Sequence, residues 1–78
     1  MAEERTAADL VAYLVKGIVT EPDQIQVREV EDGRTLELET AQEDRGRVIG
    51  RQGRVAKALR ALLATSRAGR QHRLEIVD

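Results

Sequence analysis

A chain of 78 residues has room for one compact domain and not for two. Its 41% hydrophobic and 35% charged residues, with 13 basic side chains against 14 acidic ones, describe a polar globular domain and exclude a self-repelling disordered tail. The lack of cysteine excludes disulfide staples, thiol catalysis and cysteine-ligated metal centres, and points to a reducing, cytoplasmic setting.

No run approaches the roughly 18 apolar residues of a membrane span. The start, Met1-Ala2-Glu3-Glu4, is acidic where a secretory leader would be basic and then apolar. Residues 1–5 read as a frayed N-terminus. Thr6-Ala7-Ala8-Asp9 then has the form of a capping box, with Asp in place of the usual Glu, ahead of apolar residues at Leu10, Val11, Leu14 and Ile18. This predicts an amphipathic helix of about three turns that fades near Gly17 and is closed off by Pro22. A strand follows, with Ile25 and Val27 alternating with polar residues; Arg28-Glu29-Val30 breaks that alternation and reads as a bulge or as the strand end. Asp32-Gly33 is a hairpin signal, and Thr35-Leu36-Glu37-Leu38-Glu39-Thr40 is a second strand with one apolar and one wet face.

Residues 44–49 fit a short helix ending at Gly50, and a longer helix runs from Gly53 to about Ser66. On a helical wheel Val55, Leu59, Leu62, Leu63 and Ser66 fall on one side of the longer helix, with Arg54, Lys57, Arg60, Ala61 and Ala64 opposite. Gly69 supplies a stop, and Leu74 and Ile76 alternate in a final strand. The order α-β-β-α-α-β predicts a single α/β (α+β) domain, residues 1–78, with a three-stranded sheet covered on one face by three helices. A core of this size supplies only about 3–5 kcal/mol, which leaves room for support from a partner subunit.

The net charge of −1 conceals a strong asymmetry. Residues 1–44 carry 12 acidic and 4 basic side chains, whereas residues 45–78 carry 2 acidic and 9 basic ones. A basic region of this kind suits a polyanion or an acidic partner; it also suits attraction between the two halves, within one fold or between copies. Its centre is Val48-Ile49-Gly50-Arg51-Gln52-Gly53-Arg54-Val55. Glycine at both ends lets the chain turn sharply and bring N–H groups close to a ligand. The helix beginning at Gly53 adds orphan donors and the positive end of a dipole, an arrangement suited to phosphate. Gly50 as a helix stop and Gly53 as a helix start would give the same pair of glycines without any ligand.

Val48-Ile49-Gly50-Arg51-Gln52-Gly53 resembles the V-I-G-x-x-G signature of KH (K-homology) domains, and the element order resembles their type II arrangement. The run Gly46 to Arg54, the following Val55-Ala56-Lys57-Ala58-Leu59-Arg60 and the chain length are similar to the KhpA family of small bacterial KH proteins. The likeness implies that the loop clamps the backbone of about four single-stranded RNA nucleotides beside an aliphatic groove. It places Gly50, Arg51, Gln52 and Gly53 on the phosphates, with Arg54, Lys57 and Arg47 as flanking charges. Ile49, Val55 and Leu59 become groove or core wall. Ala56 stands where many KH domains have a bulky aliphatic, which implies a shallower groove floor. The resemblance further implies an RNA chaperone or post-transcriptional regulator that forms a homodimer, or a heterodimer with a KhpB-like KH protein, linked to cell elongation and envelope synthesis.

Other readings are weaker. Tyr13 is the one aromatic residue, so the stacking platforms of RRM and OB modules cannot be built. A helix-turn-helix DNA reader fits the glycine turn and basic helix but leaves the hairpin and last strand without a role. An assembly module, with RNA contact incidental, is the main rival. Catalysis is not expected: Glu37 and Glu39 alternate with leucines as on a solvated sheet face, and His72 is the sole histidine, a strand or surface residue with no partners for a metal site. No cofactor is implied.

Overall fold

The computed structural model describes residues 6–30, 34–67 and 70–77. The expected frayed segment 1–5, the Asp32-Gly33 turn and the Gly69 stop lie outside the described residues. The elements are α1 (Ala7–Lys16), β1 (Gln26–Val30), β2 (Thr35–Glu39), α2 (Gln42–Ile49), α3 (Arg54–Thr65) and β3 (Arg73–Val77). Their order is the expected α-β-β-α-α-β.

The Thr6 hydroxyl accepts from the Asp9 N–H at 3.1 Å, and the Asp9 carboxylate accepts from the Thr6 N–H at 3.3 Å. This is the capping box read from the sequence. The helix ends at Lys16 with Gly17 as its cap, so Ile18 lies off the helical face and is 36% exposed. Ala7, Val11 and Val15, spaced four apart, form the buried stripe instead, flanked by Leu10 and Leu14.

β2 is the central strand, antiparallel to β1 and parallel to β3. The parallel pairing requires a crossover, which α2 and α3 supply. Pairing between β1 and β2 is continuous from Gln26↔Glu39 to Val30↔Thr35, so Arg28-Glu29-Val30 carries no bulge and is the strand end, the second of the two readings. The hydrophobic alternation fails there because Val30 points to the helix-free side, opposite to Val27. That open side holds Arg28, whose guanidinium lies 3.6 Å from Glu37 and 3.3 Å from Glu39. Glu37 and Glu39 thus belong to a charged sheet face, as the alternation predicted.

Leu36, Leu38 and Leu74 turn to the helices and meet Val11, Val15, Val48, Leu59 and Leu63 in one core. On α3 the buried residues are Ala56, Leu59 and Leu63; Leu62, assigned to the apolar side of the wheel, is 51% exposed. The narrow sheet contacts only a thin stripe of the helix. Arg60 flanks that stripe on the other side, donating from Nε to the Leu74 carbonyl at 3.1 Å and so occupying part of the β3 edge.

α2 begins at Gln42, earlier than the apolar pattern indicated, because its buried anchors are Asp44 and Val48. Asp44 is wholly buried. Its carboxylate accepts from the Thr20 N–H at 2.9 Å, the Thr20 hydroxyl at 2.8 Å and the Glu21 N–H at 2.9 Å, pinning the α1–β1 connection to α2.

Candidate nucleic-acid interface

α2 and α3 are joined by a single 3-10 turn, Arg51–Gly53, entered through Gly50. Gly50 has φ 78° and ψ 170°, a conformation essentially restricted to glycine. A Cβ there would stand 2.5 Å from Val55 Cγ2 and 2.8 Å from the Val55 backbone nitrogen. Gly50 is therefore required twice, by backbone angle and by space. Gly53 also has positive φ, 74°, but a Cβ there would meet nothing within 4 Å. Gln52, at φ 57° and ψ 25°, is the single non-glycine residue in the left-handed region among the described residues.

The turn is held by the Gly50 N–H donating to the Gly46 carbonyl at 2.8 Å and the Gly53 N–H donating to the Gly50 carbonyl at 3.0 Å. The N–H groups of Arg51 and Gln52 have no partner among the described residues. Just beyond them α3 starts with no side-chain cap and no acidic residue in its first turn. The first N–H of this helix, that of Arg54, donates back to the Arg51 carbonyl, and the helix end carries a positive partial charge. Arg51 and Arg54 add full positive charges to it, which is unfavourable for an isolated helix and favourable once an anion docks.

The remaining expected residues divide by position. Arg51, Gln52, Arg54 and Lys57 are exposed, and Lys57 follows Arg54 at the i+3 spacing of one helix face. Arg47 is 57% exposed, with its Nε 3.5 Å from the buried Asp44 carboxylate. Burial alone would raise the Asp44 pKa; the hydrogen bonds from Thr20 and Glu21 and the charge of Arg47 outweigh it and hold the carboxyl below its ordinary value. Ile49 is 38% exposed beside the turn, Val55 is half-buried against Gly50, and Leu59 is core and not surface wall. Ala56 is buried, facing inward where the KH pattern has its larger aliphatic. The Asp44 bracket and the pressure of Val55 on Gly50 were missed by sequence reasoning, since each depends on a contact that no local pattern encodes. His72 lies just before β3 with its Nε2 3.7 Å from Glu29, and no three His, Cys, Asp or Glu residues converge on a metal position among the described residues.

The family model described as KhpA/KhpB, KH domain, matches residues 8–77, glycine turn included. The chain belongs to the KhpA/KhpB KH-domain family. An RNA-binding protein KhpA from Leifsonia xyli is 45% identical over 73 residues, covering 91% of this chain and 96% of that protein. Its counterpart in Mycobacterium tuberculosis is 46% identical over 72 residues, 90% of this chain and 89% of the relative. The Streptomyces coelicolor protein of the same name is 44% identical over 72 residues, 90% of each chain. No solved structure matches. Membership in the KhpA/KhpB family gives the hairpin and terminal strand their place and displaces the helix-turn-helix alternative. No helix among the described residues is long and apolar enough to cross a membrane.

Proposed function

We propose that this chain binds single-stranded RNA without catalysis, holding backbone phosphates on the turn Gly50–Gly53. The observation that carries this reading is the turn itself: two N–H groups with no partner among the described residues, next to an uncapped helix start flanked by Arg51 and Arg54. Gly50 sets the bend, Gly53 leaves open space for a phosphate, and Gln52 offers its N–H and amide. Arg54 and Lys57 extend the positive surface along α3, and Arg47 adds a weaker contact because Asp44 already engages it. Ile49 forms the exposed apolar edge against which a base can lie. The relatives' name, RNA-binding protein KhpA, supports the ligand class.

The finer role is a cytoplasmic RNA chaperone or post-transcriptional regulator, working as a homodimer or with a KhpB-like KH partner, in cell elongation and envelope synthesis. Self-association is supported by Leu62, exposed on a helix whose other large aliphatics are covered. A weak footprint of about four nucleotides gains avidity from such pairing.

A salt titration tests the phosphate contacts. Neutralising three or four phosphates on a single strand gives a slope of log K against log salt of about −2 to −3, and Arg51→Ala reduces its magnitude by about 0.7. A flat response in the wild-type protein would remove the phosphate clamp.

A further inference from the structure

The α3–β3 connection carries a second group of positive and hydrogen-bonding side chains that the glycine turn does not use. Arg67, Arg70, Gln71 and His72 line an open recess of about 390 Å³. Arg67 and Arg70 are exposed, and no carboxylate pairs with either among the described residues. The His72 side chain is 20% exposed; its Nε2 faces Glu29, while its Nδ1 is buried with no hydrogen-bond partner among the described residues.

This recess lies at the far end of α3 from the glycine turn. The helix has 12 residues, about 18 Å at 1.5 Å per residue. It contains no Asp or Glu, and Arg54, Lys57, Ala61 and Thr65 follow one another along its exposed side from one end to the other. A strand leaving the turn thus meets no negative charge on α3 before it reaches Arg67 and Arg70.

We infer that Arg67 and Arg70 hold a second backbone phosphate of the same RNA strand, extending the contact beyond the nucleotides clamped at Gly50–Gly53. The inference rests on the RNA-binding reading above. Guanidinium forks suit phosphate oxygens, and the Gln71 amide adds a neutral donor. The recess is open and larger than a lone phosphate, which fits a strand passing through. At about 3.4 Å per stacked nucleotide, five or six nucleotides cover the distance.

The test is fluorescence anisotropy with labelled single-stranded RNA pools of about four and about ten nucleotides. Wild-type protein is compared with the double variant Arg67→Ala, Arg70→Ala, after circular dichroism establishes that both are folded. Wild type should bind the longer RNA more tightly and with a steeper salt dependence. The double variant should bind the short RNA like wild type, lose the length advantage, and show a slope for the long RNA smaller in magnitude by about 0.7, one phosphate's worth. An unchanged length advantage, or an equal loss on both lengths, would overturn the second site while leaving the turn intact. Failure of wild type to bind either RNA would overturn the functional reading and this site with it; retention of an acidic peptide in place of RNA would assign the recess to a protein partner.

Discussion

Gly50→Ala is expected to destabilise the domain by about 3 kcal/mol, from the strained backbone and the overlap with Val55 together. The new Cβ would stand 2.8 Å from a backbone nitrogen, so no rotamer change at Val55 relieves it. Either α3 shifts away from α2 or the turn opens, and in both cases Val48 and Leu59 lose their fit in the core. In a domain this small the loss approaches the whole folding free energy. Thermal melts should show a transition lower by more than about 12 °C, or none. Gly53→Ala is the control: its Cβ enters open space, only the positive φ is strained, and the expected cost is about 1 kcal/mol. Equal melting temperatures for the two variants would show that Val55 does not set the turn.

The second large effect concerns Asp44. Its carboxylate gathers two N–H groups and a hydroxyl from the α1–β1 connection, and it steadies Arg47 beside the turn. Asp44→Ala should lower the melting temperature at neutral pH by roughly 10 °C, as those donors lose a charged acceptor. The pH dependence has a defined sign. Because the folded-state pKa lies below the ordinary carboxylate value, the contribution is complete above that value and is lost as pH falls through the lowered one. Wild-type stability should therefore hold steady down to about pH 5 and decline below about pH 4, with a shallower decline in the variant. A variant that falls off as steeply as wild type would place the acid-sensitive group elsewhere.

These two residues mark where the sequence was and was not legible. The capping box, the alternation of Leu36 and Leu38, and the span of α3 between Gly53 and Ser66 are local patterns, and local geometry follows them. Asp44 is a different case. Counted by its charge it is one more acid on the acidic half, yet its partners lie 24 and 23 residues away and are joined to it only by the fold. Leu62, expected on the apolar side, is exposed while the smaller Ala56 is buried, because side-chain size does not decide burial on a helix covered along one stripe. The turn was legible as a whole, since paired glycines, arginines and a helix start are all visible in the sequence. The difference between its glycines was not: Gly50 is pressed by Val55 and Gly53 is open, a distinction that exists only in three dimensions.

That distinction permits the most direct test of the phosphate clamp. Gly53→Asp places a negative charge in the space assigned to phosphate, at a position where a Cβ meets nothing and with a residue that tolerates the left-handed region. Binding of a short single-stranded RNA pool is measured by fluorescence anisotropy for wild type and variant, after circular dichroism shows both folded. Loss of binding by the folded variant is the predicted result; binding equal to that of wild type would contradict the clamp and move RNA recognition away from the glycine turn.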